Sequence, residues 1–348
     1  MRTLRRLGLA DLATMVTNKA SLKEIEKIAD SLHILPEANP PVLSSESANI
    51  AAVQLALRSY SSLTEYIMDM NRYIADAANR RAQLICFPAW AGMLPLSFTA
   101  PLGNILPALR PQGNSPLPDA DALFSVLSRY GDLLLDTFTQ MFSTLAARHR
   151  VYILAGSIPC FEGEELYLRS LLFNHEGEIC GSQDKISLTP YEQEVGFSPA
   201  YELRIFETPA GTACILSGSD ADYFELTRIA KNMGAQVLLG SRLFYREYGP
   251  VQAALGLNMR VQEAGLYGVQ SALVGKTSLG FALEGAAQIF APNELVRAKN
   301  GILVQSHTRH EPDVICAQLS LEHLEGPRTP YLQDKNSALM RKYLDRLY

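Results

Sequence analysis

The sequence predicts a mixed α/β protein whose sheets each carry helices on one outer face and pack against one another. Short apolar runs of strand length, such as Leu84-Ile85-Cys86-Phe87 and Ala213-Cys214-Ile215-Leu216, are bounded by small or turn-forming residues. Amphipathic helical stripes lie between several of them, which makes βα units. Two further runs, Tyr167 to Phe173 and Glu178 to Gln183, flank His175-Glu176-Gly177 and read as a hairpin.

Bulk properties narrow the class. The chain has 348 residues, 47% hydrophobic and 19% charged, which are globular values that allow a sizeable core. A net charge of −5 without any Lys/Arg cluster argues against a nucleic-acid partner. No apolar run reaches the ~18 residues of a membrane span, so no membrane partner is expected. The basic start, Met1 to Arg6, is followed by Asp11 before a secretory apolar core can form. Cys86, Cys160, Cys180, Cys214 and Cys316 are scattered, which points to a reducing cytoplasm rather than a disulfide framework. None is spaced like a metal-ligand pair, and His307 and His310 lie on a polar loop. No metal or other cofactor is expected.

Residues 1–47 read as a helical extension, with Leu22, Ile25, Ile28, Ala29 and Leu32 near helical spacing, then a Pro-rich linker from Leu35 to Pro41. A main domain over 48–328 opens with a strand at Ile50 to Leu57. Leu63, Tyr66, Ile67, Met70, Tyr73, Ile74 and Ala77 form the apolar stripe of a long helix. The second strand, Leu84 to Phe87, stops at Pro88-Ala89-Trp90. Periodicity is lost over 92–121, and an insertion of that length, dense in Pro and Gly, suits a lid or binding loop. A helix from about Ala122 to Arg148, a strand at Val151 to Ile158 and the hairpin follow. After Lys185 the segment Ile186 to Ala200 reads as a loop, with strands at Leu203 to Glu207 and Thr212 to Leu216. Beyond Leu239 come a helix over roughly Pro250 to Ala264 and strands at Tyr267 to Val274, Ala287 to Ala291, Gly301 to Gln305 and Val314 to Leu319. A helical tail is expected over 329–348.

The chain is organised around Gly211 to Leu239: a buried strand, a polar turn at Ser217-Gly218-Ser219-Asp220, a helix and a second buried strand. Asp220 or Asp222 can cap that helix, whose Leu226, Ile229, Ala230 and Met233 fall at i, i+3, i+4 and i+7. A tight turn between a core strand and a helix N-terminus often carries a nucleophile in α/β enzymes. Here the apex is Gly218, which has no side chain.

Several segments resemble, in order, the motifs of the nitrilase (carbon–nitrogen hydrolase) superfamily. They are Ala51 to Gln54, Leu84 to Pro88, Leu154 to Ser157, Asp184 to Glu192, Gly218-Ser219-Asp220 with Phe224-Glu225 and Gly234 to Leu239, and Arg260 to Glu263. The resemblance runs from about Ile50 to Arg328 and implies a four-layer αββα sandwich. It also implies hydrolysis of amides or nitriles by a Glu–Lys–Cys triad. In that chemistry Cys attacks the carbon, Glu moves the proton and Lys stabilises the developing charge. Carried over residue by residue, the Glu position falls on Ala89, the Lys position on Lys185 and the Cys position on Gly218. The family pairs subunits through helices near Tyr223–Met233 and Gln252–Ala264, which implies a homodimer or larger homo-oligomer. This chain departs from the pattern at Ser187, Phe224 and Ala264, where the family often has His, Pro and Asn.

Neighbouring groups are possible substitutes. Ser217 and Ser219 flank the apex and also read as turn formers bonding the local backbone. Cys214 lies about 13 Å earlier along an extended strand and reads as a small buried apolar residue. Lys185 either pairs with Glu192, Glu194 or Asp220 as a structural remnant, or faces an emptied, more positive pocket. Such a pocket could hold a small carboxylate or amide ligand, with Trp90 as a wall. Two functional readings follow. One is a pseudoenzyme acting as a binding, regulatory or structural subunit. The other is a divergent or deliberately inactivated carbon–nitrogen hydrolase.

Overall fold

The computed structural model describes residues 23–32, 40–44, 46–99, 117–243, 256–276 and 282–325, together with positions 338 and 342. Most of the Pro-rich linker, the middle of the 92–121 insertion, the start of the helix expected from Pro250 and most of the tail lie outside these residues.

The strands are β1 (Ser47–Ala56), β2 (Leu84–Cys86), β3 (Tyr152–Glu162), β4 (Glu165–Phe173), β5 (Ile179–Asp184), β6 (Ile205–Thr208) and β7 (Gly211–Ser217). They continue as β8 (Val237–Arg242), β9 (Tyr267–Lys276), β10 (Ala282–Leu283), β11 (Gln288–Phe290), β12 (Ile302–Gln305) and β13 (Asp313–Ser320). Their spatial order is β5-β4-β3-β2-β1-β9-β8-β7-β6. One edge of β1 pairs with β2. Its other edge pairs with β13 and then, from Gln54 onward, with β9, which joins the two halves.

Alternation along the strands builds the layers. Ile50, Ala52, Leu84, Cys86, Leu154, Ala213, Ile215, Val237 and Leu239 point inward into one apolar cluster between the two halves. Their neighbours Ala51, Val53, Ile85 and Ile153 face a second cluster with the stripe of α2 (Leu63–Asn79) and the buried face of α4 (Ala120–His149), with the four-residue α3 (Leu96–Thr99) between them in the chain. Cys214, Leu216 and Leu238 face a third with α6 (Phe224–Asn232) and α7 (Leu257–Ala264). The result is the expected four-layer αββα sandwich. At its open side Phe206 of β6 packs on Gly181 of β5. Residues 23–30 form α1, and its Ile25 and Ala29 bury on the α2/α4 side.

Three expectations need correction. The segment after Lys185 is not all loop: Pro190–Val195 forms a helix, α5. Thr189 caps it, Pro190 fills its first position, and Glu192 reaches back to the Thr189 N–H in a capping box. Asp220 and Asp222 do not cap α6, whose N-cap is Tyr223 without a side-chain bond; both carboxylates are taken elsewhere. The stripe predicted on α6 is only partly core. Ala230 is buried with Thr227, but Ile229 is 46% and Met233 42% exposed. The helix packs inward through its small residues, so its larger apolar side chains lie outward.

Strands β3, β2, β1, β9, β8 and β7 run parallel, and β5 shares their direction because it is antiparallel to β4, itself antiparallel to β3. Their carboxyl ends therefore open on one rim, where sheets of this kind hold ligands. Ala89 follows β2, Lys185 follows β5, Gly218 follows β7 and Arg242 ends β8.

Candidate functional site

Lys185 is buried at the end of β5, and its Nζ donates to both oxygens of Glu192, at 2.6 and 2.5 Å. Glu192 is buried too, and one of its oxygens also accepts from the Thr189 N–H at 2.7 Å. The carboxylate that completes the α5 cap is thus the counter-ion of Lys185. A buried pair of this sort is tolerated only when charge and hydrogen bonds are both satisfied. Of the three partners expected for Lys185, Glu192 is the one bonded to it; Glu194 is exposed on the same short helix.

The turn after β7 lies against this pair. Gly218 has φ +57°, the left-handed region that suits glycine, and a β-carbon there would lie 3.0 Å from Lys185 Nζ. The ammonium therefore already sits close to the space a side chain at 218 would enter, and its charge is balanced. Of the two alternatives for Lys185, pairing with a nearby carboxylate is the one seen in this geometry. Asp220 is fully buried and accepts from the N–H groups of Ser187 (2.6 Å), Ser217 (3.2 Å) and Ile186 (3.3 Å). Burial pushes its pKa up to about 6, against the pull of these donors and of Lys185. Asp220 and the Ser219 hydroxyl, which donates to Ser187 O at 2.6 Å, staple the turn to the segment after Lys185.

On the β2 side Ala89 is buried and contributes only a methyl group. Trp90 has φ +64° and donates its N–H to Ser157 Oγ at 2.9 Å. The chain reaches this shape because Gly156 lets the Pro88 carbonyl approach; a β-carbon at 156 would lie 1.9 Å from that oxygen. The Trp90 ring meets Phe197 edge-on at 5.7 Å, and the Phe197 N–H bonds the Glu192 carbonyl at 3.0 Å. The Ala89 loop thus leans on the arm that carries Glu192. Ser157, Phe197 and Arg242 were not anticipated from sequence. Arg242 ends an apolar strand, the one hint that its charge is buried.

A family model described as carbon-nitrogen hydrolase matches residues 49–326. This chain belongs to the carbon–nitrogen hydrolase family. It is 25% identical over 292 residues to the probable hydrolase YhcX of Bacillus subtilis, a match over 82% of this chain and 52% of that protein. The chain therefore spans about half the length of that relative. It is 27% identical to the chloroplastic omega-amidase of Arabidopsis thaliana, over 85% of this chain and 73% of that one. Among solved structures it resembles a double mutant of the amidase from Nesterenkonia sp. in complex with acrylamide. That likeness has a TM-score of 0.61 at 19% identity, covers 87% of this chain and 99% of that one, and shows the fold.

In this family member the hydroxyl and thiol groups near the turn are engaged or turned away. The Ser217 hydroxyl is fully buried and accepts from Ser241 Oγ at 3.4 Å. Cys214 points into the α6/α7 layer rather than the rim, and burial pushes its thiol up to about 12. A thiol held protonated is a poor nucleophile. His307 and His310 each face a single carboxylate, Asp313 and Glu284 respectively.

Proposed function

We propose that this chain is a carbon–nitrogen hydrolase relative without the family's hydrolytic chemistry, acting as a binding, regulatory or structural subunit. The observation that carries this reading is Gly218. It stands at the apex of the turn beside Lys185, where the family resemblance puts the attacking Cys, and it has no atom to attack with. Ala89, at the resemblance's Glu position, cannot take a proton. Removing a nucleophile alone costs about 10⁶-fold in a well-studied hydrolase. Because Glu192 already balances Lys185, an uncharged amide suits the site better than a carboxylate. A second reading, a divergent hydrolase of amides or nitriles, is favoured by the intact Lys185–Glu192 pair and by relatives named as omega-amidases.

Ammonia release from a panel of amides and nitriles separates the two. The native protein is compared with a Lys185→Met/Glu192→Leu variant, which removes both charges together. No release above background from either supports the non-catalytic subunit. Turnover by the native protein that vanishes in the variant overturns it.

The same proposal includes self-association in a reducing compartment, in keeping with five free cysteines. Phe224 and Ile229 on α6, its flanking Tyr223 and Met233, and Met259 on α7 are each exposed on one outer layer, which suits a second copy of the chain. Sedimentation of the native protein should show a dimer or larger species, and Ile229→Glu should shift it toward monomer. A native monomer at micromolar concentration would end this part of the reading.

A further inference from the structure

Position 218 faces Lys185 only because its turn holds a particular shape, and one residue outside the turn grips both of its ends. Arg242 is buried at the end of β8. Its guanidinium donates one N–H to the Gly218 carbonyl and another to Asp222 Oδ1 at 2.9 Å. Gly218 and Asp222 are the first and last residues of the 3₁₀ turn, so a single planar fork spans its whole length. A lysine cannot copy this, since its ammonium is a point charge without a fork. The surroundings are shaped to admit the guanidinium. Gly256, with φ +79°, lies against it, and a β-carbon there would come within 3.1 Å of Asp222 Oδ1 and 3.4 Å of an Arg242 nitrogen. A glycine in the left-handed region has more freedom to lose than any other residue, so a turn built on Gly218 needs an outside restraint to keep one shape.

We propose that Arg242 is a positioning residue: by bridging the Gly218 carbonyl and Asp222 it fixes the direction in which position 218 meets Lys185. The carbonyl it holds belongs to the Gly218–Ser219 peptide. Because that peptide is planar and trans, fixing its oxygen also fixes the orientation of the Ser219 N–H. The proposal takes from the proposed function only that position 218 is the apex facing Lys185. The ammonia assay uses the native residue there, so the two can fail separately.

The test places a reporter at the apex. In a Gly218→Cys protein the new thiol lies beside Lys185, and Arg242, Glu192, Asp220 and Asp222 are the other charged groups around it. Its alkylation by iodoacetamide is followed against pH by mass spectrometry, with N-acetylcysteine in the same reaction as the ordinary-thiol reference. A thiol held against an ammonium should titrate below the ordinary value of about 8.5. Adding Arg242→Lys keeps the positive charge but removes the fork. The midpoint should then return toward the ordinary value by about one pH unit, tenfold in thiolate at neutral pH. Asp222→Asn, which loosens one anchor and leaves Arg242 in place, should move it the same way by less, and serves if the Arg242 variant does not fold. An ordinary midpoint in Gly218→Cys itself, or one that Arg242→Lys and Asp222→Asn leave unmoved, overturns the proposal.

Discussion

Compared with the arm formed by Lys185 and α5, where both oxygens of Glu192 are taken, positions Ala89 and Gly218 present only a methyl group and bare backbone. The two halves of the rim obey different constraints. A buried lysine and a buried glutamate hold each other in place, because losing either leaves an uncompensated charge in the interior. A neutral position at a turn or strand end carries no such bond and can shrink without endangering the fold. Lys185 and Glu192 are thus tied to each other by the cost of losing either one alone. On the proposed reading, the bare positions are the ones that bear on function.

The sharpest way to break this comparison is to remove one member of the pair. Glu192→Ala strands the Lys185 ammonium and also deletes the acceptor for the Thr189 N–H. Denaturant unfolding should show a loss of about 3–5 kcal/mol. Lys185→Met combined with Glu192→Leu should recover most of that loss, since a well-packed apolar pair can replace a buried ion pair. A single-variant cost below about 1 kcal/mol would mean that the charged arm is as dispensable as the bare one.

The layers of the sandwich were legible because each strand writes its two faces into alternate residues. Ile50 and Ala52 face the inner cluster, while Ala51 and Val53 face the helices. Motif order singled out Lys185, Ala89 and Gly218, and the parallel strands bring all three to one rim. Helix α5 was missed because six residues are too few to show a helical period. Its signal was chemical instead: Thr189, Pro190 and Glu192 spell a capping box with proline at the first position. Asp220 was misread for a different reason. Capping is a local rule, whereas its carboxylate reaches backbone 33 and 34 residues earlier in the chain. Arg242 is not singled out by the sequence, because a linear pattern does not show that a turn on the neighbouring strand folds over it.

Asp220 belongs to the bare turn by sequence but bonds the charged arm, and its titration sharpens the comparison. Its pKa is near 6 in the folded protein and about 3.8 when unfolded, with burial the leading cause. Between these values the folded state binds more protons than the unfolded one, so this group makes stability fall as pH rises. The contribution is largest below about pH 4 and is gone above about pH 6. The difference between the folded and unfolded values corresponds to roughly 3 kcal/mol at most. Asp220→Asn removes the titrating group while keeping one side-chain oxygen for the Ser187 N–H. Unfolding free energies measured from pH 4 to 7 should therefore slope downward more steeply in the native protein than in Asp220→Asn. Equal slopes would mean that the carboxylate gains as much from its three N–H donors and from Lys185 as it loses by leaving water. In that case the turn would be as well compensated as the ion pair beside it, and the two halves of the rim would differ in side chains but not in electrostatic strain.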